Sequence, residues 1–132
     1  MSAKRTLVSS GTVWEKKYGY SRAVLVGDQV FVAGTTAVDE TGAIVGDGSP
    51  YEQAKFIYQK IDRALREAGS SLRDVVRVRT FVVDITRWED VARAQGEVFA
   101  EIRPAATLVQ VSALVDPKLL VEIEVDAIKA ST

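Results

Sequence analysis

Chemistry in this chain has to proceed without cysteine or histidine, because the sequence contains neither. That inventory excludes thiolate nucleophiles, disulfides, imidazole bases and most zinc sites. A Ser-His-Asp triad, a Cys-His dyad and a paired-histidine ribonuclease are all out of reach. Carboxylate, Lys, Arg, Tyr and hydroxyl groups remain. Their densest arrangement is Val121-Glu122-Ile123-Glu124-Val125-Asp126-Ala127, which as a strand alternates its side chains between two faces. Glu122, Glu124 and Asp126 then share one face, and the apolar residues share the other. Arg77 and Arg79 share a face of the β-branched stretch Val75 to Ile85 and are natural cross-strand partners. The acids are either solvated or paired across strands, or one of them is a catalytic carboxylate.

The elements that would position these groups have clear punctuation. Ser49 is a good N-cap, Pro50 fits the first helical position and Glu52 completes a capping box. Ala54, Ile57, Tyr58, Ile61, Ala64, Leu65 and Ala68 recur at helical spacing, and Gly69 supplies a left-handed stop. The spacing predicts a helix over Pro50 to Ala68. A second helix is predicted with Thr86 as cap, Glu89 as its box partner, and Trp88, Val91, Ala92, Gln95, Val98, Phe99 and Ile102 along one face. Pro104 bars continuation beyond Ile102 or Arg103. Ala23 to Val26 and Gln29 to Val32 flank Gly27-Asp28 as a two-residue hairpin. Asp39-Glu40-Thr41-Gly42 reads as a turn before the short Ala43-Ile44-Val45, and Val75 to Ile85, Thr107 to Val111 and Leu120 to Ile128 read as strands. One face of the resulting sheet should rest on the helices.

A chain of 132 residues with 47% hydrophobic content is sized for one domain, residues 1–132, with an ordinary core. The net charge of −1 supplies no field to gather nucleic acid or an anionic membrane, so neither is an expected partner. The opening Met1-Ser2-Ala3-Lys4-Arg5 is not followed by an apolar signal core, and no stretch is long and apolar enough to span a bilayer. A cytoplasmic protein without a cofactor or metal is expected.

Four segments together resemble a known family: Gly19-Tyr20-Ser21, Val26-Gly27-Asp28-Gln29-Val30-Phe31-Val32-Ala33-Gly34, Arg103-Pro104-Ala105-Ala106-Thr107 and Val121-Glu122-Ile123-Glu124-Val125. Their order and spacing, spread from about residue 17 to residue 129, resemble the RidA/YjgF family, also labelled endoribonuclease L-PSP. The resemblance implies an α+β chorismate-mutase-like fold, with a mixed sheet on two helices. It further implies a homotrimer whose strands form a central barrel, with small-molecule clefts at the subunit interfaces. In archetypal members a cleft arginine clamps the substrate carboxylate, and enamines and imines such as 2-aminoacrylate are hydrolysed to 2-oxo acids and ammonia.

Carried over residue by residue, the resemblance makes Glu122 the water-positioning carboxylate, Tyr20 the cleft tyrosine and Gly34 the glycine whose backbone lines the pocket. Ala106 occupies the place of the clamping arginine, in Pro-Ala-Ala-Thr where the archetype reads Pro-Ala-Arg-Ser. Ala33 stands where a serine is usual, and Ala92 where an asparagine is expected. The candidate catalytic residues are therefore Glu122 and Tyr20, and the candidate substrate-binding positions are Gly34, Thr35, Ala106, Thr107 and Arg103. Each has a plainer alternative. Tyr20 could cover a sheet edge, Gly34 could relieve a bulge, and Thr35 and Thr36 could be ordinary strand residues. Arg103, the cation nearest in sequence to the lost arginine, could be a surface residue ending a helix. Trp88 reads as core, and Trp14 as a cover for an interface or a cleft mouth. The function implied is a trimeric cleft protein that binds a small metabolite or hydrolyses an enamine or imine. The alternatives are a protein-interaction module and, less favoured, a ribonuclease.

Overall fold

A computed structural model of the chain describes residues 4–130; Met1 to Ala3, the start of the N-terminal stretch read above, lie outside the described residues. The elements run β1 (Arg5–Val8), α1 (Val13–Tyr18), β2 (Ala23–Val26), β3 (Gln29–Thr35), α2 (Pro50–Glu67), β4 (Val75–Val82), α3 (Trp88–Phe99), β5 (Ala105–Gln110) and β6 (Val121–Ile128). Six strands form one mixed sheet in the order β1-β2-β3-β6-β4-β5. Every pairing is antiparallel except β4 with β5, whose connection carries α3, as a parallel crossover requires. Among the described residues, no helix is long and apolar enough to cross a membrane.

Alternation decides which face meets the helices. Along β6, Val121, Ile123, Val125 and Ala127 are buried while Glu122, Glu124 and Asp126 are partly exposed. The apolar face is closed by Ile57, Ile61 and Leu65 of α2 and by Val91 of α3. The two helices meet through Tyr58 and Phe99, edge to face with centroids 5.3 Å apart.

The first helix ends one residue before the expected Ala68, which serves as its C-cap, and the left-handed stop is Gly69 at φ 84°. Ser49 accepts from the Glu52 backbone N–H at 3.1 Å, as the cap predicts. The second helix departs from expectation at both ends. Neither Thr86 nor any other side chain caps α3, which begins after Arg87; the Asp84 carboxylate instead accepts from the Thr86 N–H and hydroxyl and caps a 3₁₀ turn over Ile85–Arg87 that leads into it. That turn also ends β4 at Val82 rather than Ile85. At the far end α3 stops at Phe99, well before Ile102. Arg103 takes a left-handed φ of 53°, and its N–H reaches back to the Phe99 carbonyl at 2.9 Å. Trp88, expected in the core, is 48% exposed because it opens the helix, and the buried stripe begins at Val91.

The Gly27-Asp28 hairpin forms as read, with Val26 opposite Gln29. In the second turn the Asp39 carboxylate accepts from the Thr41 and Ala43 N–H groups, and Val38 bridges to Ile44. β5 starts two residues earlier than the stretch Thr107 to Val111, so Ala106 also lies in the strand. Two elements were not anticipated. β1 is short and mostly exposed, and α1 is organised by the buried Glu15, whose carboxylate accepts from the Ser10 and Thr12 hydroxyls and the Ser10 N–H.

The entry into β6 hangs on one fully buried amide. Gln53 of α2 donates to the Lys118 carbonyl at 2.9 Å and the Gly46 carbonyl at 3.3 Å, and accepts from the Leu120 N–H at 2.8 Å. Gln53→Leu keeps the shape but strips all three partners, at about 1–3 kcal/mol for each backbone group left buried and unpaired. The expected outcome is a lower denaturant midpoint at an unchanged slope. A midpoint within error of the parent would refute the anchoring role.

Candidate functional site

The sheet face turned away from the helices gathers the ionisable groups. Register places Asp126 opposite Arg77, Glu124 opposite Arg79 and Glu122 opposite Phe81. Arg79 Nη1 sits 3.4 Å from Glu124 Oε1 and 3.2 Å from Asp126 Oδ2, so these two acids are paired across strands. Glu122 faces an aromatic ring instead and has no arginine opposite it.

Its carboxylate reaches the next strand. Between Val32 and Thr35 the β3–β6 register slips, and Gly34 lies in that irregular stretch. A Cβ built at Gly34 would overlap Glu122 Oε2 and come within 3.1 Å of its Cδ. A side chain at position 34 would thus have to displace the Glu122 carboxylate, while the backbone there needs no glycine conformation. Burial pushes the Glu122 carboxyl above the usual carboxylate range and nearby Glu124 adds to the rise, while Arg22 opposes it.

Arg22 and Lys60 belong to the same neighbourhood. Arg22 precedes β2 and donates through Nη2 to the Gly34 carbonyl at 2.8 Å, and its Nε is buried with no partner. Lys60, on α2, donates through Nζ to the Thr36 carbonyl at 2.7 Å. Burial lowers the Lys60 ammonium to about 8, the Arg22 charge acts in the same direction, and Asp39 acts against it. Sequence reasoning passed over both cations. The available signal for Lys60 was its place beside Ile57 and Ile61 at the margin of the apolar stripe.

The remaining candidate residues are dispersed. Thr35 is 1% exposed and its hydroxyl donates to the Ala33 carbonyl at 2.8 Å. Tyr20 follows the left-handed Gly19 that ends α1, donates its N–H to the Glu15 carbonyl, and is 44% exposed. Ala106 is exposed on β5 beside Val78, on the helix side of the sheet, while Thr107 lies beside Arg79 on the open side. β4 separates Ala106 from Glu122, and the two point to opposite faces. Arg103 is exposed and lines an open groove of about 490 Å³ with Arg73, Glu101, Val76 and Pro104. Within one chain, then, Glu122, Gly34 and Arg22 come together, Lys60 holds the Thr36 carbonyl nearby with Arg22 and Asp39 as its charged neighbours, and Ala106 and Arg103 lie elsewhere.

The family profile described as Endoribonuclease L-PSP matches residues 5–129. An uncharacterized protein of Streptomyces coelicolor is 38% identical over 124 residues, covering 94% of this chain and 92% of its own. A 3-aminoacrylate deaminase, RutC, of Acinetobacter baylyi is 34% identical over 104 residues, covering 79% of this chain and 82% of its own. A crystal structure from Mycobacterium tuberculosis, of a member of the YjgF/YER057c/UK114 family, superposes with a TM-score of 0.86 at 46% identity, covering 95% of this chain and 99% of that one.

Two measurements check this geometry. Gly34→Ala should destabilise the protein by about 1–3 kcal/mol through overpacking, and this cost should shrink markedly in a Glu122→Ala background, a coupling of about 0.5–3 kcal/mol. Additive penalties would mean that the carboxylate does not occupy that space. In a ¹³C-dimethyl-lysine titration, the resonance assigned through Lys60→Arg should move with a midpoint near 8. In Arg22→Gln it should shift upward, because a repelling charge is gone. A Lys60 midpoint at the ordinary value of about 10.4 would contradict the burial argument.

Proposed function

This chain belongs to the RidA/YjgF family, the endoribonuclease L-PSP family of the matching profile, and from that premise we propose that it is a homotrimeric imine hydrolase of altered substrate range. The observation that carries the reading is the Glu122 carboxylate, raised above its usual range by burial and seated against the Gly34 backbone without an ion-pair partner among the described residues. A carboxyl group so raised holds its proton more readily than an exposed carboxylate and is better suited to pass it on. Water adds to the imine carbon as its proton passes to Glu122, and the acid returns that proton to nitrogen to give a carbinolamine. Glu122 then takes the hydroxyl proton and passes it to the same nitrogen as the carbonyl forms and the C–N bond breaks, so that ammonia leaves and the carboxylate is restored. An enamine enters the same route through its imine tautomer. Kinship with an enzyme called 3-aminoacrylate deaminase supports this reaction class.

The open sheet face supports assembly. Phe31 and Val109 are 42% and 41% exposed on the strands flanking the Arg79 ion pairs, and Leu7 is 62% exposed at the β1 edge of the same face, an apolar and charged surface that neighbouring copies would cover. Because Ala106 and Glu122 lie on opposite faces within one chain, a cleft containing both positions draws them from different subunits. A ribonuclease reading fits less well. The chain has no histidine and a net charge of −1, whereas phosphodiester cleavage needs acid and base groups along a basic track.

The test generates 2-aminoacrylate and 3-aminoacrylate in the presence of the protein and follows ammonia release. Without a guanidinium at position 106, hydrolysis of 2-aminoacrylate should run about 10- to 100-fold below an arginine-bearing relative in kcat/KM, equivalent to one lost charge-assisted bond of about 1.5–3 kcal/mol. Ala106→Arg should recover part of the loss, and Glu122→Gln should abolish the recovered activity. Failure to accelerate any of a panel of small enamines and imines would overturn the hydrolase reading, and sedimentation as a monomer at micromolar concentration would overturn the trimer.

A further inference from the structure

The acids on the open face of β6 are served by arginines in two different ways. Arg79 meets Glu124 and Asp126 directly, at 3.4 Å and 3.2 Å. Arg22 forms no ion pair among the described residues, although its charge acts on the Glu122 carboxyl. The backbone dictates where that guanidinium sits. The Arg22 N–H donates to the Val8 carbonyl at 2.9 Å, and the Arg22 carbonyl accepts from the Ala33 N–H at 3.0 Å, so the residue is fixed between β1 and β3. Its Nη2 then donates to the Gly34 carbonyl at 2.8 Å, inside the stretch where the β3–β6 register slips. Its Nε is buried with no hydrogen-bond partner.

Satisfying the Gly34 carbonyl does not by itself account for an arginine. A neutral amide such as Gln would serve the same oxygen without bringing a charge into a partly buried position or leaving a buried donor unpaired. What the guanidinium adds is charge, and Glu122 feels it. Around that acid, Phe81 on β4 and Gly34 on β3 are neutral, while burial and Glu124 on β6 both favour its protonated form; Arg22 is the cation that opposes them. Arg22 also acts on Lys60 of α2, where Asp39 works against it. We infer that Arg22 is a positioning residue for Glu122: tethered to the Gly34 carbonyl, it fixes that segment against the carboxylate and supplies a nearby cation without forming an ion pair. A direct pair would hold the acid as its carboxylate and occupy its oxygens. With no cation, burial would leave the acid holding a proton and unable to take one from water. The chemical purpose rests on the hydrolase reading, in which Glu122 starts as the carboxylate; the coupling between the two side chains does not.

The experiment titrates the full-length protein carrying ¹³C at its glutamate side-chain carboxyls, with the Glu122 resonance assigned through Glu122→Gln. Arg22→Gln keeps a donor for the Gly34 carbonyl and removes the charge, so the Glu122 midpoint should move upward. Arg22→Lys keeps the charge and should hold the midpoint near that of the parent, whereas Glu124→Gln should lower it. Arg63→Gln removes an equal charge from an exposed position on α2 and should leave it unchanged. In the parent, the Arg22 Nε–H resonance should move with the same midpoint as the Glu122 carboxyl and lose that inflection in Glu122→Gln, a reading that requires no Arg22 variant to fold. Three results would overturn the assignment: an unchanged midpoint in an Arg22→Gln variant shown by thermal unfolding to be folded, a midpoint that rises as far in Arg22→Lys as in Arg22→Gln, or an Arg22 Nε–H resonance indifferent to Glu122. In turnover, the acid limb of the kcat/KM profile for imine hydrolysis should move upward in Arg22→Gln together with the carboxyl midpoint. The coupling in a protein that hydrolyses no imine leaves the Arg22 assignment standing without the hydrolase. Imine hydrolysis whose acid limb ignores Arg22→Gln leaves the hydrolase standing without the positioning role.

Discussion

The close approach of the Glu122 carboxylate to the backbone at Gly34 is the contact on which the rest of this site depends. A side chain at position 34 would meet the carboxylate, and the slip in register between β3 and β6 is what brings the segment under it. The same slip turns the Gly34 and Thr36 carbonyls toward cations arriving from β2 and α2. This local irregularity therefore sets the Glu122 acid and Arg22 on one glycine and gives Lys60 of α2 a carbonyl two residues on.

The alternation of β6 explains why only one of its acids is available for chemistry. Glu124 and Asp126 both lie within reach of Arg79, and exposed pairs of this kind contribute little to stability but do fix charge. Glu122, opposite Phe81, has no such partner on β4 and is left to burial and to Arg22. A shift of the β4–β6 register by two residues would place an arginine opposite Glu122 and erase the difference.

The legible parts of the fold were those where several local signals agreed. Ser49, Pro50, the apolar stripe and Gly69 all marked the same helix, and the alternation in Val121 to Ala127 fixed both the strand and its buried face. The start of α3 was misread because a separate 3₁₀ turn precedes it. Asp84 caps that turn and engages the Thr86 N–H and hydroxyl, so Thr86 lies inside the turn and α3 begins after Arg87 without a side-chain cap. Trp88 was misread because periodicity says which side of a helix a residue takes and not whether that end of the helix is covered. The family fold could be recognised from four short segments, yet Arg22 and Lys60 could not. A lone arginine before a strand and a lysine beside an apolar stripe look like solvated surface until the Gly34 to Thr36 segment is folded between them.

The sheet order has a consequence for how the molecule is made. β6, the last described strand to leave the ribosome, lies between β3 and β4, so every earlier strand is synthesised before the one that joins them. Until Val121–Ile128 emerges, the β1-β2-β3 meander and the β4-β5 pair are two half-sheets with open inner edges. They have no partner in the chain, and such edges invite pairing with other molecules. The same strand delivers Glu122. Closure of the sheet and completion of the site are therefore a single late event, and nascent chains stalled short of residue 121 would remain open to proteases however much of their length had already been made.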